Sequence, residues 1–492
     1  MVATSPGRAA RPALRRLIVA SLALVLGTSA MWFSGSFATR STFPAATPEA
    51  KCGPGSKPES GIQGRVPTGD YLNGKAARGY WCNAKEVAHQ GQTGGFKALR
   101  YTDRKGNTCA FYDSTLLFPK DILYNAVEGL GVVVLDMNRP GRPRKVANLK
   151  SPAMLSPHES LLLNKKRGLL AGVLGNAATN IGILDIYDVR TDCRHPRLLS
   201  SSTAGLFGHE SGWSRDGRTF YSAGAAGLTF AAIDVSNPRS PRRIFTQRGV
   251  VYHGLRLSAD GNTMYVANLG QNEGPAGLSG LRILDVSEIQ ARKRNPEVEI
   301  ISELVWPERS LPQVAEPFTR NGRHYLLEVD EFANYYKGFG PGVPVGAARI
   351  IDIENPKRPK VVSNLRLQVH QPWARKTTQQ LDPGAAIPVQ GYAGHYCSVP
   401  TRRNPKLVAC SMILSGLRVF DISKLGRPRE AAYFNKPSIP LSNSLNPTAL
   451  GAFAMSQPTW DLRRRSVWYT DGNKGFYVVR LTNGVQKLLR RR

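Results

Sequence analysis

Six copies of one phrase run through the chain, each an apolar strand that closes on an aspartate and continues into a polar turn, basic residues, a proline and a second strand. They begin at Gly131 (GVVVLDMNRPGRPRKVANL), Ile181 (IGILDIYDVRTDCRHPRLLS), Ala231 (AAIDVSNPRSPRRIF), Leu281 (LRILDVSEIQARKRNPEVEII), Ala348 (ARIIDIENPKRPKVVSNL) and Leu417 (LRVFDISKLGRPREAAYF). A unit recurring at intervals of this size implies a solenoid, a propeller or an array, and outranks any local signal. Upstream of several copies stands a second element, a strand, an Asp-Gly or Asn-Gly turn and another strand: HESGWSRDGRTFYSAG from His209, HGLRLSADGNTMYVAN from His253 and EPFTRNGRHYLLEV from Glu316. Asp-Gly and Asn-Gly between apolar runs signal hairpins because both residues tolerate positive φ. Each unit therefore supplies four antiparallel strands.

Such units, repeated, arrange radially as blades, which leaves only short protected edges. Seven are expected, starting near Gly95, Pro157, Gly208, Tyr252, Val314, Gly394 and Gln457. The last unit ends at GFYVVRLTNG, residues 475–484, without a fourth strand, and NAKEVAHQG at 83–91 has the form of the missing one. The expected fold is all-β, a seven-bladed β-propeller over 81–492 closed by an N-terminal strand. An open stack of β-units would call instead for capping repeats at its ends.

Residues 1–38 read as an export segment. Arg8, Arg11, Arg15 and Arg16 precede the apolar run Leu17 to Phe33, and Thr28-Ser29-Ala30 and Ser36-Phe37-Ala38 are candidate cleavage points. Arg15-Arg16 permits a twin-arginine route, and retention as a membrane anchor is the alternative. Residues 39–80, rich in Pro, Gly, Ser and Ala, read as a flexible lead-in. An exported or envelope-associated protein is expected, and six cysteines suit an oxidising compartment. Cys397 and Cys410 flank a turn symmetrically and should face each other across two strands. The other four cysteines admit three pairings, among them Cys52–Cys82 with Cys109–Cys193.

A formal net charge of +31 is spread over inter-strand turns such as RPGRPRK at 139–145, RSPRR at 239–243 and NPKRPK at 355–360. This diffuse cationic surface suits anionic envelope polymers or a membrane surface. Nucleic acid is disfavoured, since no stacking aromatics alternate with the basic turns. A monomer is expected.

The phrase V/I-x-I/V-D-V/I-S-x-P followed by P-x-x-V/I resembles the LVIVD repeat of bacterial secreted and surface proteins. AAIDVSNP at 231–238 and RIIDIENP at 349–356 match it best, and the likeness spans about 95–484. The last unit departs, with Arg480 where the others carry Asp136, Asp185, Asp234, Asp285, Asp352 and Asp421. The resemblance implies a bacterial exported propeller and leaves function open. The aspartates themselves, at strand ends, should accept N–H bonds from the turns that follow.

Four of the eight histidines occupy one repeated position: His158, His209, His253 and His395 each open a blade, and Glu316 is expected to take that place in the fifth. First strands line a propeller's central channel, so these side chains should converge at its mouth. Imidazoles with a carboxylate there would bind Cu, Zn or Fe. Histidine rings at strand starts also occur in propeller metalloenzymes similar to selenium-binding protein and methanethiol oxidase, an analogy of position only. The plainer reading is a structural histidine hydrogen-bonding the neighbouring blade and copied with the repeat. His89, His195 and His324 do not repeat, and His370 heads an insertion. Insertions at 271–280, 332–347 and 368–394 are candidate functional loops, the second bearing Tyr335, Tyr336 and Phe339. Two functions follow: a binding or scaffolding module of the cell envelope, or a metal-dependent enzyme of oxidoreductase type.

Overall fold

The computed structural model describes residues 43–114, 131–175, 179–270, 279–308, 310–331, 345–377, 391–437 and 451–489. The 1–38 segment, the aromatic residues Tyr335, Tyr336 and Phe339, and most of the three insertions lie outside them. Among the described residues no helix is long and apolar enough to cross a membrane.

Seven antiparallel sheets follow one another along the chain as the blades of a β-propeller, the first five with their strands in sequence order and the last two each completed by an N-terminal strand. Blade 1 comprises Ala98–Thr102, Thr108–Asp113, Val132–Asp136 and Arg144–Leu149. Blades 2 to 5 run from Leu162 to Gly208, Glu210 to Arg248, Tyr252 to Leu304 and Leu311 to Leu365. Blade 6 spans Tyr396 to Asn435, and blade 7 spans Thr459 to Leu481. The six-fold phrase forms the third and fourth strands of the first six blades. Its alternating Val, Ile and Leu side chains are buried between adjacent blades, as Val133 and Leu135 are against Trp468 and Val478. Burial of this kind on both faces is why the strands read as nearly continuous apolar runs.

Five of the six repeat aspartates do the expected turn chemistry. Asp136, Asp234, Asp285, Asp352 and Asp421 each accept a hydrogen bond through Oδ1 from the backbone N–H two residues on, at 2.8–3.0 Å. Blade 2 differs because its third strand, Asn180–Asp188, runs three residues longer. There Asp188 takes the turn, accepting from Arg190 N–H at 2.8 Å, and Asp185 is buried and accepts from Ala153 N–H at 2.8 Å. The pairing register also accounts for part of the scattered positive charge. Arg144, Arg197, Arg242 and Arg429 lie directly across from Asp136, Asp188, Asp234 and Asp421, with ion pairs of 3.3–3.7 Å. Exposed pairs of this type each contribute at most about 1 kcal/mol.

The ring closes as the sequence anticipates. Ala84–Gln90 pairs antiparallel with Gly475–Leu481 and becomes the fourth strand of blade 7. Just before it, Tyr80–Cys82 adds a fifth strand to the outer edge of blade 6. The arm upstream is packed rather than loose. Thr47 N–H donates to Arg366 O at 2.7 Å, Gln63 Nε2 to Glu430 at 3.0 Å, and Glu59 pairs with the buried Arg418, which also meets Glu430 at 3.1 Å. The Pro- and Gly-rich composition therefore marks an arm without regular periodicity that is fixed by side chains of blades 5 and 6. Disulfides join Cys52 to Cys82, Cys109 to Cys193, and Cys397 to Cys410, the last two being directly opposite on neighbouring strands.

Asn83 carries the chain from blade 6 to blade 7. Its φ of 51° is left-handed, where asparagine is tolerated better than most residues. Its side chain accepts from Gly53 N–H at 2.8 Å and donates to Lys51 O and Ala431 O, both at 2.9 Å. Asn83→Ala should lower unfolding free energy by about 3 kcal/mol, through left-handed strain and lost buried hydrogen bonds. Asn83→Gly, free of the strain, should lose less. Chemical denaturation of the two variants checks this, and an unchanged midpoint for Asn83→Ala would contradict it.

Candidate metal centre

The first strands of the blades line the axis, and their starts, with the end of one second strand, bring seven polar side chains together. His158 and Glu159 come from blade 2, His209 from blade 3, His253 from blade 4, Gln313 and Glu331 from blade 5, and His395 from blade 6; all are buried. Phe96 holds the corresponding place before blade 1, its ring 4.2 Å from that of His158 and 5.5 Å from that of His395. Local backbone irregularities aim the polar groups inward. His158 sits at φ 51° in a short 3-10 turn, His158–Ser160, ahead of the strand proper. The pairing register slips at His253 and at Gln313, so both residues occupy bulges that turn their side chains to the axis. Gly254 permits the close approach, since a Cβ there would lie 2.1 Å from Gln313 O. That carbonyl is 3.2 Å from His253 Nδ1, and Met455 O is 2.6 Å from His395 Nδ1, which leaves both Nε2 atoms facing the axis.

Glu159 is the hub. Its Oε2 lies 3.4 Å from His209 Nε2 and 3.3 Å from His253 Nε2, and its Oε1 lies 3.2 Å from His395 Nε2. Glu331 spans the same gap, Oε1 to His253 Nε2 at 3.5 Å and Oε2 to His395 Nε2 at 3.1 Å. His209 and His253 bring their Nε2 atoms to 2.7 Å of each other. Two sets of ligating atoms, His158 with Glu159 and His209, and Glu159 with Glu331 and His395, each fall within 4.8 Å. His158 Nδ1 and Gln313 Oε1 are buried without a hydrogen-bond partner. Native interiors seldom leave such atoms unmatched.

Electrostatics agree with a site built around positive charge. Burial alone would raise the Glu159 carboxyl, but His253, then His209 and His395, hold it well below the usual carboxylate range. Burial disfavours charge on His395, yet hydrogen bonds to Glu159 and Glu331 push it up to about 9. His209 is likewise raised against its burial by Glu159. His158, buried and beside His209, is held well below the imidazole range.

One to three residues on, the same strands build a second layer in the channel. Lys97 Nζ pairs with Glu210 at 3.2 Å, Arg256 bridges Glu210 at 3.2 Å and Glu316 at 2.5 Å, and Gln457 Nε2 donates to Glu316 at 2.8 Å. Tyr396 donates to Glu210, and its ring lies 3.7 Å from the Lys97 ammonium. Burial lowers the Lys97 ammonium from its ordinary value against the pull of Glu210.

The structure thus joins four of the five sequence-derived site residues, His158, His209, His253 and His395. Glu316 is not with them: Gln313, three residues earlier, fills the blade 5 position, and Glu316 matches Arg256, three residues past His253. Glu159 and Glu210 look equivalent in sequence, yet only Glu159, placed by the His158 turn, reaches the upper layer. Glu331, at the end of a second strand, had no signal in the repeat alignment. His370 is structural, accepting from Leu367 N–H at 3.1 Å and facing Tyr392 O at 2.7 Å. His89, His195 and His324 lie away from the axis, beside Lys474 O, Asp192 and Glu354.

No family profile and no curated protein matches the chain. Among solved structures, a functionally unknown protein from Desulfotomaculum acetoxidans is 11% identical with TM-score 0.44, covering 72% of this chain and 88% of that one. The C-terminal WD40 domain of Sif2 is 11% identical with TM-score 0.45, covering 81% and 99%. Raptor from Chaetomium thermophilum is 12% identical with TM-score 0.48, covering 89% of this chain and 34% of that one. Likeness at this level carries nothing about function.

Burial and the neighbouring Arg366 push the His370 imidazole down to about 3, so the folded protein keeps it neutral. A depressed value stabilises above the unfolded imidazole value of about 6.5 and is lost as pH falls from there toward 3. The denaturation midpoint should therefore fall with pH across that window, and less steeply in His370→Gln. Parallel slopes in the two proteins would refute the assignment.

Proposed function

We propose that this chain is an exported propeller, of the LVIVD-like kind its repeat suggests, whose axis holds a transition-metal ion at the histidine and glutamate cluster. The observation that carries the reading is the buried convergence of four imidazoles and two carboxylates with orphaned ligating atoms among them. An imidazole and carboxylate set suits Zn, Cu or Fe. Such a cation would displace the proton of His395, which the two carboxylates push up to about 9. The second layer supports a rigid site, because Lys97, Arg256, Glu210 and Glu316 are mutually paired and lock the strands that carry the ligands. An ion so placed would supply Lewis-acid or redox chemistry, which is what a metal-dependent enzyme of oxidoreductase type needs. Three disulfides are consistent with assembly in an oxidising compartment outside the cytoplasm.

A second reading, a binding module for polyanions of the cell envelope, is favoured by the opposite face. There the turns between first and second strands border a groove of about 860 Å³ that includes Lys165, Lys166, Arg215, Arg402 and Arg403, with Trp213 and Phe318 among its walls. Only Asp260 and Glu354 oppose these cations in the lining. The two readings use different ends of the channel and are compatible.

Protein purified from an oxidising compartment and analysed by elemental mass spectrometry should carry a transition metal, at least tenfold depleted in Glu159→Gln. Metal-free protein after reconstitution at neutral pH would sink the metal reading. For the second face, Lys165→Glu with Arg402→Glu should abolish most salt-sensitive binding to a soluble polyanion such as polyphosphate and leave metal content unchanged. Retained binding in the double variant would move the contact elsewhere.

A further inference from the structure

The two carboxylates at the axis are arranged more specifically than a single ion requires. Resting on the metal reading above, the geometry points to a dinuclear centre: two divalent transition-metal ions bridged by Glu159 and Glu331. Each carboxylate turns one oxygen to each side of the cluster. On one side Glu159 Oε2 and Glu331 Oε1 face His253 Nε2 at 3.3 and 3.5 Å, with His209 Nε2 3.4 Å from the same Glu159 oxygen. On the other, Glu159 Oε1 and Glu331 Oε2 face His395 Nε2 at 3.2 and 3.1 Å. Ligands bound about 2.0–2.2 Å from a common ion lie roughly 3.0–3.5 Å from one another, so each set has the spacing of one coordination shell. A single ion would draw on one oxygen of each carboxylate and leave the opposite pair, with His395 or with His209 and His253, outside its shell.

The orphaned atoms complete both shells. His158, whose buried Nδ1 is unpartnered, belongs to the set that holds His209. Gln313 places its amide on the other side, Nε2 2.5 Å from Glu159 Oε1 and 3.3 Å from His395 Nε2, and its buried Oε1 is unpartnered. Half a turn of that amide exchanges its ends and presents the oxygen as a ligand beside His395. The first ion would then draw on His158, His209, His253 and both carboxylates, and the second on His395, Gln313 and both carboxylates. Bridging oxygens of one carboxylate hold two ions roughly 3.5–4 Å apart, the separation at which a pair can clamp one substrate oxygen between them.

The test is stoichiometry and coupling in the full chain. Apo-protein titrated anaerobically with Co(II) should bind two equivalents, followed by visible absorption and elemental analysis, and the two ions should be spin-coupled by electron paramagnetic resonance. His395→Ala should retain one equivalent with the spectrum of an isolated ion, and His209→Ala should do the same from the other side. Because removing a buried partner can disturb folding, Gln313→Glu provides a conservative arm, expected to keep two equivalents and tighten the second. One equivalent in the wild-type protein, or two without coupling, would overturn the dinuclear centre and leave the metal reading standing. None would remove both.

Discussion

Everything in this fold depends on the hydrogen-bonded seam between Ala84–Gln90 and Gly475–Leu481. A propeller of sequential blades has one place where neighbours are not joined through the chain, and there the ends must be held by pairing. Here the N-terminal strand fills the open edge of blade 7, while Tyr80–Cys82 pairs with the outer strand of blade 6. The same few residues therefore tie two blades, with Asn83 as the pivot and the Cys52–Cys82 disulfide behind it. Only a closed ring makes first strands far apart in sequence converge on one axis. The site follows from closure, since Glu159 and His395 meet across 236 residues only because blades 2 and 6 face the same channel.

The axis then becomes the place where buried charge collects. Ionised groups out of water are costly unless paired, and a buried pair is retained only with good geometry. The lower layer largely meets that condition: Lys97, Arg256, Glu210, Glu316 and Tyr396 pair with one another, with only Arg256 Nη2 left over. The upper layer does not, for it crowds imidazole nitrogens to 2.7 Å and leaves His158 Nδ1 and Gln313 Oε1 unpartnered. Stacking one satisfied and one unsatisfied layer on the same strands separates scaffold from site within a few ångströms. The lower network holds strand positions fixed, as a site with exacting geometry needs.

How much of this was legible in the sequence follows the range of the interactions involved. Strand alternation, hairpin turns and the aspartate that opens each turn act within a few residues, so blade number, order and closure could be read directly. The one repeat aspartate that departs, Asp185, shows the limit: an extra three residues in the strand passed the turn to Asp188, and only pairing register reveals that. The histidines were found because duplication kept them aligned. Glu316 stands three residues past Gln313 as Arg256 stands three past His253, so it is the counterpart of Arg256 in the lower layer, a register the repeat phrase does not fix. Glu331 was missed because it enters from a second strand, outside the repeated position.

The sequence alone determined a seven-bladed ring, its closure by an N-terminal strand and the gathering of histidines at one end of the channel, because period, turn chemistry and duplication are encoded locally. Tertiary structure decided which carboxylates join them. Whether Glu159 or Glu210 points into the upper layer depends on a left-handed backbone at His158, and whether Gln313 or Glu316 does depends on a bulge. Those are directions of single side chains, set by packing between blades, and no pattern along the chain carries them.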